Sequence, residues 1–139
     1  MHVVAFAPAN RAVLQDTGGV AAQGFPMTSA QVDVFPKQIT LPLVLSVYTE
    51  AGSDYDPTLY IAATDPEGQR IGNLPCTWNW PDTANVPVKY RVFVHYLPFV
   101  ANSAGVYNIG LYDSPDSADA RQLFPLSLAL ANPLIAPHA

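Results

Sequence analysis

The chain is poor in cysteine, in charge and in uninterrupted apolar sequence, and each shortage excludes something. Cys76 is the sole cysteine among 139 residues. An intramolecular disulfide is therefore excluded and a reducing, cytoplasmic setting is expected, with only an intermolecular bridge left open. Charged residues make up 12% of the chain, against roughly 25% in an average globular protein. The cations Arg11, Lys37, Arg70, Lys89, Arg91 and Arg121 are scattered, and the net charge is −5. Without a basic cluster to neutralise a phosphate backbone, nucleic acid is not expected as a partner.

No stretch approaches the 18 or so apolar residues of a membrane-spanning helix, so no membrane partner is expected. The opening segment Met1–Val13 lacks the basic start and the apolar length of a secretory signal and reads as a first strand. Long helices are excluded as well, because fourteen prolines and eight glycines interrupt the chain at short intervals. The motifs G-x-S-x-G, the phosphate loop and the dinucleotide fingerprint are absent. His2, His95 and His138 show no zinc-ligand spacing. These shortages lead to an expectation of no catalytic residue, no cofactor and no metal, hence not an enzyme.

What remains is rich in Val, Ile, Leu, Tyr, Phe and Thr with a two-residue rhythm. It is clearest in Gln38–Glu50, where Ile39, Leu41, Leu43, Leu45 and Val47 alternate with more polar residues, so that one face is core and the other wet. Similar runs are His2–Ala7, Ala12–Gln15, Val20–Phe25, Ser29–Phe35 (an edge strand fenced by Pro26 and Pro36), Thr58–Thr64, Gln69–Leu74, Cys76–Trp80, Val88–Leu97, Gly105–Asp113 and Leu123–Leu130. The turn Asp65-Pro66-Glu67-Gly68 has proline second and glycine fourth, as a type I turn favours. In Val88–Leu97 the side Val88, Tyr90, Val92, Val94, Tyr96 is the more apolar, while Lys89, Arg91, Phe93, His95 and Leu97 make a mixed face, so that Phe93 and Leu97 point away from the more apolar side. Cys76–Trp80 and Val88–Leu97 are expected to pair. The fold class is all-β: a single Greek-key β-sandwich of about nine short antiparallel strands over residues 1–130. A proline-containing tail, 131–139, follows as a flexible or partner-docked extension.

The run Gly105-Val106-Tyr107-Asn108-Ile109-Gly110-Leu111 resembles the late strand of immunoglobulin-like sandwiches, in which a tyrosine ties a corner by bonding its hydroxyl to nearby backbone. Gly105 and Tyr107 are thus structural candidates. More widely, AFAPANRAVLQDTGGVAAQGF, Pro36 before the long strand, DPEGQ, GVYNIGLYD and LFPLSLAL, in that order, resemble a family of small stand-alone bacterial and phage β-sandwich proteins of unestablished function. That resemblance implies the immunoglobulin-like fold and a cytoplasmic or phage-particle setting, and it brings no catalytic residues.

Three sets of residues compete as sites. Trp78 and Trp80, two apart on one strand face, are either core or, with Tyr48, Tyr55 and Tyr60, an aromatic platform for a sugar. Asp54 and Asp56, and Asp113, Asp116 and Asp119, carry oxygen ligands of the kind calcium takes, but they read first as turn formers. The apolar residues Val44, Phe93, Leu97, Val100, Leu134 and Ile135 lack an obvious core role and could form an interface. The expected function is a non-enzymatic interaction protein, homo-oligomeric or docked on a protein partner. The alternatives are a carbohydrate-binding module and a structural component of a phage particle.

Overall fold

A computed structural model describes residues 1–50, 56–80 and 85–131. They form ten strands: β1 (His2–Pro8), β2 (Arg11–Leu14), β3 (Val20–Gln23), β4 (Ser29–Val32), β5 (Lys37–Glu50), β6 (Thr58–Thr64), β7 (Arg70–Thr77), β8 (Val88–Ala101), β9 (Gly105–Tyr112) and β10 (Gln122–Leu130). No helix occurs among the described residues. The strands make a three-stranded sheet β1-β5-β8, a five-stranded sheet β4-β10-β9-β6-β7 and a two-stranded ribbon β2-β3. All pairings are antiparallel except β4 with β10, which runs parallel.

The inner faces of the two larger sheets meet in one core. Leu41, Leu43, Leu45 and Val47 of β5, with Leu97, Phe99 and Ala101 of β8, face Leu59, Ile61 and Ala63 of β6, Tyr107, Ile109 and Leu111 of β9, and Leu126 and Leu128 of β10. Each buried leucine contributes about 1.5–3 kcal/mol relative to an exposed one, so this cluster is the main source of stability. A β-bulge between Val3 and Ala5 keeps Val3 opposite Val47 and Phe6 opposite Leu45. Both therefore turn inward despite their odd spacing.

The expected pairing of Cys76–Trp80 with Val88–Leu97 does not occur. Among the described residues β7 is continuous through Pro75 and pairs with β6, while β8 belongs to the other sheet. Proline is tolerated there because β7 is an edge strand with a side that owes no ladder bond.

The facing of β8 is also the reverse of the expected one. Its fourteen residues pair with β5 throughout, setting Leu97 opposite Leu41, His95 opposite Leu43 and Phe93 opposite Leu45. Directly opposed residues share a sheet face, so the inward leucines of β5 turn Phe93, Leu97 and Phe99 inward and Val88, Tyr90 and Tyr96 outward. The outer side of β8 is apolar because the β2-β3 ribbon covers its middle. There Ala9, Ala12 and Val44 form a second small cluster with Val20, Val92 and Val94 packed on it. Val44 is accordingly buried beneath the ribbon rather than free for an interface.

Candidate interaction surface

The two tryptophans follow the end of β7, where the alternation that turns Cys76 inward continues and buries Trp78 and Trp80 to 6% and 1% exposure. Their rings meet edge to face at 5.8 Å, and Trp78 lies 5.1 Å from Phe93 across the core. Neither indole N–H has a hydrogen-bond partner among the described residues, a cost of about 1–3 kcal/mol each. Burying 150–250 Å² of aromatic surface gains about 4–6 kcal/mol at 25 cal/mol/Å², so burial wins. An exposed platform of Trp78 and Trp80 is therefore absent. Leu97 is likewise fully buried, and Phe93 is half-buried against the core.

Tyr48 and Tyr60 lie in different sheets and cannot extend one another. Tyr60 is opposite Tyr112 and Pro75 in the five-stranded sheet. Tyr48 stands in an aromatic row that runs across all three strands of the other sheet. The His2 ring lies 4.7 Å from Tyr48 with an interplanar angle of 22°, and Tyr90 lies 5.4 Å from Tyr48 at 39°. Pairing produces this row directly, since His2 opposes Tyr48 and Tyr48 opposes Tyr90. Glu50 Oε1 holds the His2 ring through Nε2 at 3.1 Å. Because the His2 and Tyr48 rings are stacked on each other, each covers one face of the other. That arrangement suits packing against a protein better than lying beneath a flat sugar ring.

Exposed apolar side chains recur along the outer side of β8. Tyr90 and Tyr96 are 61% and 55% exposed, and Val88 and Val100 are exposed with them. The β2-β3 ribbon, seated on Val92 and Val94, splits this face into two patches. One holds His2, Tyr48, Val88 and Tyr90. The other holds Tyr96 and Val100, opposite Pro42 and Gln38. Sequence reasoning missed Tyr90 and Tyr96 because it assigned their side of the strand to the core.

The groups that could do chemistry are dispersed. Burial pushes the Cys76 thiol up to about 12, so it stays protonated and is a poor nucleophile. Burial also lowers the His95 ring below its ordinary value, and its nearest aromatic neighbour is Phe93, stacked at 5.4 Å. Asp56 accepts from Asn79 Nδ2 at 2.6 Å and Asp113 pairs with Arg121 at 3.0 Å. No cluster of three or more His, Cys, Asp or Glu side chains that could hold a metal exists among the described residues. No helix among them is long and apolar enough to cross a membrane. Tyr55, Asp54, Leu134, Ile135 and His138 lie outside the described residues.

At the far end of the core, Tyr107 Oη donates to the Ser103 carbonyl at 2.7 Å. Gly105 opens β9 at φ +144°, against the ring of Pro66. These two residues brace the turn between β8 and β9 and carry no exposed chemistry. A scan against protein-family models finds no match, and a search of curated proteins finds no relative.

Proposed function

We propose that this chain is a non-enzymatic, immunoglobulin-like β-sandwich that works by docking, either on a second copy of itself or on a protein partner. The observation that carries the reading is the outer side of β8, where Val88, Tyr90, Tyr96 and Val100 are exposed on a strand whose inner side is core. The low share of charged residues, 12%, reduces the desolvation that would oppose such an interface. Tyrosine is among the residues enriched at interface centres.

The immunoglobulin-like part of the reading draws on topology. That fold places its B and E strands in one sheet and its C, F and G strands in the other. Here β5 and β8 fit B and E, while β6, β9 and β10 fit C, F and G. The bond from Tyr107 to Ser103 is of the corner-tying kind. The family resemblance in the sequence adds a cytoplasmic or phage-particle setting to this proposal.

Sedimentation velocity across a wide concentration range, combined with affinity capture, tests it. Tyr90→Lys and Tyr96→Lys together are expected to abolish association while leaving the circular dichroism spectrum unchanged. A wild-type chain that stays monomeric and captures the same proteins as the double variant overturns it.

A further inference from the structure

The outer face of the five-stranded sheet carries a cleft with no part in the docking surface. Its floor is a cross-strand pair, Thr64 of β6 opposite Asn108 of β9, and its wall is the connection from Asp113 to Arg121 between β9 and β10. Tyr112, Arg70, Asp119 and Leu123 complete the lining, and the cleft, which is open to solvent, has a volume of about 500 Å³. That volume falls within the range of small-molecule sites.

The wall is held in place by contacts that leave the cleft open. Arg70 Nη1 donates to the Pro115 carbonyl at 2.6 Å and Nη2 donates to the Ser117 carbonyl. The same guanidinium sits 4.1 Å above the Tyr112 ring. At the other end the Arg121 amide donates to the Leu111 carbonyl at 2.6 Å, and the Arg121 side chain pairs with Asp113. Between these anchors the Ser117 hydroxyl donates to the Asp119 carbonyl at 3.0 Å. The site is therefore preorganised, which lowers the ordering cost of binding.

The chemistry of the lining narrows the ligand. Arg70 spends its charge on two carbonyls and a ring face, and Asp119 stands nearby as a carboxylate. An anion would meet Asp119, and a cation would meet Arg70. What suits the cleft is a neutral molecule that both donates and accepts hydrogen bonds and has an apolar side. The Asn108 amide and the Thr64 and Tyr112 hydroxyls each do both, the Asp119 carboxylate accepts, and Leu123 offers an apolar contact. A pyranose has hydroxyls at its edge and C–H groups on its faces.

We propose that the cleft between Thr64, Asn108 and the Asp113–Arg121 connection binds a neutral sugar unit edge-on through Asn108 and Asp119. This site is separate from the β8 face, so its fate is independent of the docking reading.

Two-dimensional amide NMR titration tests it, with methyl α-glucoside, methyl β-galactoside, methyl α-mannoside and N-acetylglucosamine each taken to about 50 mM, well above a millimolar Kd. At least one sugar is expected to give saturable shifts centred on Thr64, Asn108, Tyr112, Asp119 and Leu123. Asn108→Ala and Asp119→Ala are expected to weaken that binding about tenfold each, with the rest of the spectrum unchanged. No saturable shift from any of the four sugars, shifts centred elsewhere, equal affinity in both variants, or the same shifts from sodium acetate overturns the proposal.

Discussion

Replacing Leu97 by alanine, beside Tyr96→Ala as its neighbour on the opposite face, tests the facing of β8 and with it the assignment of the outer surface. Leu97 has no exposed surface and opposes Leu41, whereas Tyr96 is 55% exposed and opposes Pro42. Leu97→Ala loses the transfer free energy of the removed methyl groups and leaves a cavity, together about 2–5 kcal/mol. Tyr96→Ala removes more atoms, but from a wet face, where substitutions stay within about 0.5 kcal/mol. A domain of this size has a stability of about 7–20 kcal/mol at 0.05–0.15 kcal/mol per residue. The first change is therefore survivable and measurable. With a urea slope near 2 kcal/mol/M, the midpoint of Leu97→Ala falls by about 1–2.5 M at unchanged slope. Tyr96→Ala moves it by about 0.3 M or less on the same arithmetic. Urea unfolding followed by tryptophan fluorescence reads both, since Trp78 and Trp80 lie in the same core. A larger loss from Tyr96→Ala than from Leu97→Ala would refute the facing of β8 and remove the proposed docking surface with it.

Four further outcomes are expected. Tyr107→Phe deletes the bond to the Ser103 carbonyl and is expected to cost about 1–2 kcal/mol in chemical denaturation, while Tyr90→Phe, on the exposed row, costs nothing measurable. Gly72→Ala places a Cβ 2.9 Å from the Pro98 carbonyl oxygen and 3.2 Å from the Phe99 Cβ. Its overpacking penalty of about 1–3 kcal/mol exceeds the 0.4–1 kcal/mol gained by stiffening the unfolded chain, so thermal unfolding shifts downward. The Cys76 thiol, raised from 9.0 to about 12, resists a thiol-reactive disulfide reagent until the chain unfolds. Its contribution to stability is complete below pH 9 and is lost as the pH rises toward 12, because only the unfolded chain ionises it in that window. The His95 ring runs the other way: its value is lowered from 6.5, so as the pH falls below 6.5 the unfolded chain takes up the proton first and stability declines. His95→Phe is expected to flatten that acid limb, and an unchanged slope would show that His95 is not its source.

What could be read from the chain before its structure divides according to how far each determinant lies along it. β5 was legible because its two faces meet different surroundings, core on one side and mostly water on the other, and the contrast is written in Ile39 through Val47. Tyr107 was legible because its partner Ser103 is four residues away. β8 defeated the same reasoning for a physical cause: the β2-β3 ribbon, which lies far earlier in the chain, partly buries Val92 and Val94 on the outside. With Val92 and Val94 covered on the outside, and Lys89, Arg91 and His95 on the same side as the inward Phe93 and Leu97, the rhythm of β8 points the wrong way. The burial of Trp78 depends on Phe93 from the other sheet, and the fixing of the Asp113–Arg121 connection depends on Arg70, at sequence separations of 45 and 47.

These long-range contacts also explain why the outer surface was the least legible part and why it is the part to test. Interior positions answer to one requirement, the filling of a shared core, and β5 imposes that requirement on β8 residue by residue through their pairing. The exterior of β8 answers to the ribbon over Val92 and Val94 and, on either side of it, only to neighbours on the same open sheet face such as Tyr48 and Pro42. Tyr90 and Tyr96 are 61% and 55% exposed at positions that the core does not fill. The docking proposed above gives those two rings a role that the core does not.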